Sequence, residues 1–160
     1  MQLVLCEKQS VSKAVATALV VPSVAVGGFE GNGLVVSWCV GHLVAPMDAA
    51  GYDLVYKKCK YDDLPILPEP FRYVLAKDKE DAFQNLKRLM DREDVTELVN
   101  ACDAGREGEL IFRLVYEMAG CRKPFSRLWI SSMEDAAIRE GFADLRPGAD
   151  YDPLYQSALC

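Results

Sequence analysis

The segment "VTELVNACDAGREGEL", residues 95–110, joins an apolar run to a glycine-containing turn and then to a helical pattern. Residues 95–102 predict a buried strand. The helix that follows carries apolar residues at the spacing of one helical face, namely Leu110, Ile111, Leu114, Val115 and Met118. A strand that leads into a helix through such a turn is typical of α/β proteins, whose ligands collect at the carboxyl ends of parallel strands.

The rest of the chain alternates strand and helix patterns in the same way. Strands are predicted at residues 3–6, 23–29, 33–40 and 127–131. Helices are predicted at residues 10–19, with Ser10 as N-cap, and at residues 79–93. A further helix is predicted to end at about Leu145 and to begin with a capping box formed by Ser131 or Ser132 and by Glu134 or Asp135. Residues 46–70 carry four of the eight prolines and predict an extended surface loop. This order favours an α/β fold with a largely parallel sheet.

Composition limits the classes of function. The chain has 160 residues, 51% of them hydrophobic, which suffices for one domain with its own core. No run of residues is long and apolar enough to cross a membrane, and the amino-terminal segment lacks the features of a signal peptide. The net charge of −6 counts against a domain that binds nucleic acid alone.

The cysteine pattern gives little support to a zinc site. The six cysteines include no CxxC pair, and the chain has one histidine. Cys6, Cys39 and Cys102 lie in or beside apolar runs, where a thiol behaves as a small hydrophobe. We therefore expect a reduced, cytoplasmic setting.

Acidic residues follow two predicted strands. Asp103 and Glu107 follow the strand at 95–102, and Glu7 directly follows the first strand, with Lys8 beside it. Adjacent parallel strands would bring Glu7 and Asp103 together at one edge of the sheet. Carboxylate oxygens suit Mg²⁺, and Arg106 at a helix N-terminus is placed to hold a phosphate. The alternative is that these acids only cap the helix and compensate its dipole.

Three other features have structural explanations. The stretch "GGFEGNG", residues 27–33, precedes a strand and lacks the glycine spacing of a dinucleotide site, so it predicts a hairpin. His42 follows a strand and is either structural or a phosphate contact. Trp38 and Trp129 are predicted to be core residues.

Four stretches together resemble the type IA DNA topoisomerases, most closely the topoisomerase III branch. They are "LVLCEKQSVSKAVA", "GNGLVVSWCVGHLV", "ACDAGREGELIFRLVY" and "RLWISSMEDAAIREGFADLRPGADYDPLYQSAL", and they cover nearly the whole chain in that family's order. The resemblance implies a Toprim domain over residues 1–146, with a mainly parallel four-stranded sheet flanked by helices. Residues 147–160 would begin the next topoisomerase domain and be cut off within a helix.

The resemblance also implies roles for individual residues. Glu7 would assist DNA cleavage and religation as an acid/base group, and Lys8 would position the scissile phosphate. The family's D-x-D-x-E motif falls on Asp103, Gly105 and Glu107, and its arginine on Arg106. The implied assignments are catalysis by Glu7, Lys8 and Arg106, DNA binding by Lys8, His42 and Arg106, and Mg²⁺ binding by Glu7, Asp103 and Glu107.

The sequence departs from the family pattern at two points. Gly105 replaces the second aspartate of the motif, so we expect weak Mg²⁺ binding. None of the seven tyrosines lies in a nucleophile motif, so the resemblance implies further topoisomerase domains that carry the tyrosine. The other partner that it implies is single-stranded DNA, and no membrane partner is expected. The alternatives are a stand-alone metal-dependent phosphodiesterase or nuclease and a non-catalytic nucleic-acid-binding module.

Overall fold

The computed structural model describes residues 1–25, 27–39, 44–46, 73–75 and 79–159. The strands are β1 Gln2–Cys6, β2 Ser23–Ala25, β3 Gly28–Gly31, β4 Leu34–Trp38, β5 Val44–Pro46, β6 Tyr73–Leu75, β7 Glu97–Ala101, β8 Phe125–Arg127 and β9 Arg146–Pro147. The helices are α1 Gln9–Ala18, α2 Glu80–Met90, α3 Arg106–Met118, α4 Asp135–Ala143 and α5 Asp152–Leu159, with a 3₁₀ helix at Gly148–Tyr151.

The main sheet has seven strands in the order β2-β3-β4-β1-β7-β8-β9. Its centre consists of four parallel strands, β4, β1, β7 and β8. Antiparallel strands extend it, β3 and β2 beside β4, and β9 beside β8. The α/β class and the four parallel strands agree with the prediction. The sheet is wider than predicted because the run at 23–29 reverses near Gly27 (φ +82°) and forms two strands.

Strand β1 lies at the centre of the sheet, between β4 and β7. Its apolar residues Leu3 to Cys6 are fully buried, as expected for a parallel strand covered on both faces. Cys6 pairs with Trp38 on one side and with Ala101 on the other. The residues that follow β1 and β7 therefore leave the sheet side by side at its carboxyl edge.

Helices cover both faces of the sheet, and successive residues of a strand face opposite layers. Leu3 and Leu98 pack with α2 and α3 in one core cluster. Val4 and Val99 pack with α1 and α4 in the other. In the described part of the chain, no helix is long and apolar enough to cross a membrane.

Both predicted helix caps were wrong. Helix α1 begins at Gln9 after Lys8, without a side-chain cap, and Ser10 lies inside it. Helix α4 begins at Asp135 and ends at Ala143, short of Leu145. The Glu134 backbone N–H donates to Ser132 Oγ at 3.2 Å. The N-cap residue of α4 is Glu134, and its side chain makes no capping hydrogen bond, so the predicted capping box does not form.

The strand predicted at residues 127–131 was placed too late in the chain. Strand β8 covers Phe125–Arg127, and Trp129 lies beyond it with 44% of its surface exposed, so it is not a core residue. The strand ends where the buried Arg127 side chain bonds backbone carbonyls of the neighbouring loop. The loop predicted at 46–70 lies outside the described residues, apart from Pro46 at the end of β5.

Candidate metal and phosphate site

A cavity of about 360 Å³ opens at the carboxyl edge of the sheet, where β1 and β7 end. Its lining comprises Glu7 and residues 103–108. Glu7 is half-buried and Asp103 is exposed. The sequence-based expectation that these two acids leave neighbouring strands at one edge matches this geometry.

The carboxyl groups of Glu7 and Asp103 lie close enough for a protonated Glu7 to donate a hydrogen bond to Asp103. Partial burial raises the pKa of Glu7. The hydrogen bond with Asp103 and the negative charges of Asp103 and Glu107 raise it further, whereas Lys8 opposes them. Glu7 therefore holds a proton at a pH where an isolated glutamate has lost it.

Two glycines shape the turn beneath the cavity. Gly105 precedes α3 with φ +152°, and a Cβ there would meet open space. Gly108 is different, because a Cβ at that position would collide with the backbone oxygen of Asp103. The first turn of α3 can therefore lie against the loop that carries Asp103.

The N-terminus of α3 faces the cavity. Arg106 and Glu107 occupy its first turn, and both are exposed. Gly105 provides no side-chain cap for the first backbone N–H groups. Such N–H groups and the helix dipole favour an anion, and Arg106 adds a positive charge at the same place.

A buried polar network lies below the cavity and fixes the Asp103 loop. The Arg127 guanidinium donates to the backbone oxygens of Cys102 at 2.6 Å and Asp103 at 2.7 Å. Its Nε lies 3.1 Å from Glu109 Oε2, an ion-pair distance without hydrogen-bond alignment. Asn100 donates to the same glutamate oxygen at 3.1 Å, and Glu109 and Arg127 are both fully buried.

Arg113 connects this network to the carboxyl-terminal part of the chain. Its Nε donates to Glu109 Oε1 at 2.8 Å. Its other nitrogens reach the Gly148 backbone oxygen at 2.8 Å and Asp152 Oδ1 at 2.7 Å. The guanidinium also stacks near Tyr155, 5.2 Å from the ring centre. The 3₁₀ helix and α5 are thereby joined to α3.

The structure brings four of the six sequence-predicted site residues to one cavity, namely Glu7, Asp103, Arg106 and Glu107. Lys8 lies beside Glu7 as the exposed N-cap of α1 and is not in the cavity lining. His42 lies outside the described residues.

The donor set at the cavity is composed of carboxylate oxygens, which fits Mg²⁺ held by one or two protein groups. Within the described ranges, no group of three or more His, Cys, Asp or Glu side chains is arranged to hold a metal ion. Glu7, Asp103 and Glu107 are thus not arranged as a three-ligand site, and Gly105 offers no side chain as a further ligand. Glu7 and Asp103 lie together in the cavity, where a divalent cation would relieve the repulsion that follows when Glu7 loses its proton.

Sequence reasoning missed the residues that support the site. Glu109 is not among the residues that the sequence analysis predicts for the site. Its spacing to Arg113, four positions along the helix, is the signal that predicts an ion pair. Arg127 gave no signal of its own, because its partners come from a loop 24 residues earlier.

Three thiols are buried just below the acidic residues. Cys6, Cys39 and Cys102 are each at most 2% exposed, in agreement with their prediction as small hydrophobes. Burial raises the pKa of Cys6, and a hydrogen bond with Cys39 together with burial raises that of Cys102. These thiols are inert packing groups. The cytoplasmic location stays a separate prediction.

A family model and the curated relatives agree on the family that this chain resembles. A family model described as "Toprim domain" matches residues 2–133. The chain is 45% identical to "DNA topoisomerase 3" of Bacillus subtilis (strain 168) over 98% of its length, and 44% identical to the Bacillus thuringiensis (strain Al Hakam) protein of that name. It spans about a fifth of the length of these curated relatives, 22% and 21%.

A solved structure has a similar fold. Full-length topoisomerase I from Thermotoga maritima superposes with a TM-score of 0.57 at 20% identity, covering 91% of this chain and 21% of that chain. At this identity the likeness concerns the fold alone. It agrees with the α/β arrangement predicted from the sequence.

Proposed function

The chain belongs to the Toprim domain family, and on that premise we propose that it is the metal-binding and acid/base part of a type IA DNA topoisomerase of the topoisomerase III kind. The observation that carries the proposal is that Glu7, whose pKa is raised, and Asp103 line one cavity beside the N-terminus of α3. The identity to DNA topoisomerase 3 sequences supports it. The reaction proposed is the cleavage, passage and religation of single DNA strands.

Glu7 is the proposed acid and base. During cleavage a tyrosine hydroxyl gives its proton to water as its oxygen forms a bond to the DNA phosphorus, and the bond from phosphorus to the 3′ oxygen breaks. Glu7 gives its proton to that 3′ oxygen and takes it back during religation, when the tyrosine oxygen regains a proton from water. The raised pKa of Glu7 supports this role, because Glu7 keeps its proton to a higher pH than a free glutamate does.

The remaining residues bind and neutralise the phosphate. Arg106 and Lys8 are exposed cations on either side of the acidic pair and would hold the scissile phosphate. Mg²⁺ would be held chiefly by Glu7 and Asp103, with Glu107 as the proposed third ligand, and when bound it would supply neutralisation of phosphate charge. His42 is proposed as a further DNA contact.

The tyrosine nucleophile is proposed to lie in the part of the relatives that this chain does not span. The net charge of −6 supports this division of labour, because a domain that gripped DNA alone would need a basic surface. We propose that residues 1–146 form the Toprim domain and that residues 147–160 begin the next topoisomerase domain.

The test is a chimera in which this chain replaces the corresponding segment of Bacillus subtilis DNA topoisomerase 3. We expect Mg²⁺-dependent relaxation of negatively supercoiled plasmid. Glu7→Gln should abolish relaxation, whereas Glu93→Gln, an exposed acid away from the cavity, should leave it unchanged. A folded chimera that fails to relax DNA, or that is equally active with Glu7→Gln, would contradict the proposal.

The 160-residue chain tested alone separates the alternatives. We expect it neither to nick nor to relax plasmid at any Mg²⁺ concentration. Mg²⁺-dependent nicking that Glu7→Gln removes would favour a stand-alone phosphodiesterase. Binding of DNA without any cleavage by the chimera would favour a non-catalytic module.

A further inference from the structure

A second cavity, of about 600 Å³, lies beyond the end of β8 and shares no lining residue with the acidic one. Its walls come from the loop after β8, helix α4, strand β9 and the 3₁₀ helix. The side chains that matter for its chemistry are Trp129, Ser131, Glu140, Asp144, Arg146 and Tyr151. The established family assignment gives this cavity no role.

One wall of the cavity is aromatic. The rings of Trp129 and Tyr151 stack with centres 5.2 Å apart and planes 20° from parallel. Trp129 remains 44% exposed. The 3₁₀ helix that carries Tyr151 is held by the hydrogen bond from Arg113 to the Gly148 oxygen, so the wall is fixed before any ligand arrives. Preformed aromatic surfaces of this kind stack nucleobases.

The opposite wall is polar. Glu140 on α4 and Asp144 just after it are exposed carboxylates, and Arg146 on β9 is an exposed cation. In the part of the chain that the structure describes, these three side chains have no hydrogen-bond or ion-pair partner. Carboxylates accept hydrogen bonds from the amino groups of cytosine, adenine and guanine, whereas thymine has no exocyclic amino group. Arg146 is suited to a phosphate.

The aromatic wall is adjacent to the acidic site. Arg127 donates to the Asp103 backbone oxygen at 2.7 Å, and its guanidinium carbon lies 5.1 Å from the centre of the Trp129 ring. A single side chain therefore separates the loop that carries Asp103 from the aromatic wall. A DNA strand with one phosphate at the acidic cavity can place a nearby base in the second cavity.

We propose that this cavity is a base-binding subsite that takes one amino-bearing nucleobase of a single DNA strand. The base stacks on the exposed face of the Trp129–Tyr151 pair, and Glu140 and Asp144 accept hydrogen bonds from its amino group. The inference rests on the proposed function in one respect, namely that the ligand is a nucleic acid strand. It adds a preference for cytosine, adenine and guanine over thymine.

The test is a fluorescence titration of the 160-residue chain at low salt with short single-stranded oligonucleotides. The chain has two tryptophans, and Trp38 packs against Phe29 at 6.3 Å between ring centres. A Trp38→Phe background therefore reports on Trp129 alone. We expect oligo(dC) and oligo(dA) to quench this emission and to bind more tightly than oligo(dT).

Three variants test the contacts. In the native background, where binding is followed by fluorescence anisotropy of labelled oligo(dC), Trp129→Ala should weaken binding by at least about fivefold. Met133→Ala is the matched control, because Met133 is exposed nearby at 40% but does not line the cavity, and it should leave binding unchanged. The double variant Glu140→Ala/Asp144→Ala, which removes both acceptors, should remove the preference for oligo(dC) over oligo(dT).

Unchanged Trp129 emission on oligonucleotide binding, or equal binding by Trp129→Ala and the native chain, would overturn the inference. So would an absence of binding. Because none of these readouts depends on cleavage, the subsite can fail while the chimera still relaxes plasmid, and that result would leave the proposed function intact. An inactive chimera together with base-selective quenching would contradict the proposed function and leave the base-binding subsite intact.

Discussion

The buried carboxylate of Glu109 is predicted to be one of the largest single contributors to stability in this chain. Glu109 is fully buried and faces two arginines, Arg113 at 2.8 Å and Arg127 at 3.1 Å. The variant Glu109→Gln keeps the shape of the side chain and an oxygen for the Asn100 N–H, but it removes the charge and replaces the other acceptor oxygen with an NH2 group that faces the Arg113 Nε–H donor. Arg127, with no exposed surface, then has no counter-ion in contact.

The magnitude follows from this burial. Removing one partner of a buried ion pair costs about 3–5 kcal/mol, since the remaining charge stays buried and uncompensated. Arg113 retains the Gly148 oxygen and the carboxylate of Asp152, so the loss falls mainly on Arg127. Burial already lowers the pKa of Arg127 and Glu109 opposes this, so the variant removes the main opposing charge.

The assay is urea denaturation of the 160-residue chain at pH 7, followed by circular dichroism. The matched control is Asp152→Asn, which removes a carboxylate that also contacts Arg113 but is 58% exposed. An exposed pair contributes at most about 1 kcal/mol. Equal losses for the two variants, or a loss below about 1 kcal/mol for Glu109→Gln, would refute the reasoning. If Glu109→Gln does not fold, Glu109→Gln with Arg127→Met should recover folding, because no uncompensated charge remains at that position.

Three further predictions concern the acidic cavity. The pKa of Glu7 is raised above its usual 4.5, so the folded chain holds a proton that the unfolded chain loses, and stability falls as pH rises above that value. Glu7→Gln should therefore raise the melting temperature at pH 8 in EDTA and change it little at pH 4; an equal effect at both pH values would contradict this. Gly105→Asp should tighten Mg²⁺ binding in calorimetry and cost about 1–3 kcal/mol through backbone strain at φ +152°, whereas Gly105→Ala should show the strain without the binding. Gly108→Ala should push α3 away from the Asp103 oxygen, costing about 1–3 kcal/mol and loosening Mg²⁺ binding; full retention of both would show that the loop adjusts freely.

The sequence predicts the centre of this fold well, because the parallel strands are continuous apolar runs. The apolar run of β1 is unbroken from Leu3 to Cys6, that of β7 is interrupted only by Asn100, and the pairing of the two strands places Glu7 near Asp103. The periphery was harder to predict. Strand β9 has only two residues, and it exists because Arg146 and Pro147 pair with β8, which no local pattern indicates.

The support of the site could not be read from the sequence for a similar reason. The partners of Arg127 are the backbone oxygens of Cys102 and Asp103. Because every residue has a backbone oxygen, the sequence does not indicate which ones will bind an arginine. The end of β8 at Arg127 follows from those bonds, and the exposure of Trp129 follows from the end of β8. One long-range contact thus accounts for two wrong predictions.

The central position of β1 has a consequence for how the protein is made. Strand β1 leaves the ribosome before β7, and the partner residue of Gln2 on β7 is Glu97, 95 residues later. At about 5–20 residues per second, the apolar strand waits roughly 5–20 seconds for that neighbour. During this interval its backbone groups and side chains are open to other nascent chains. Slow codons placed between β4 and β7 are therefore expected to reduce the yield of folded protein, although they change no residue.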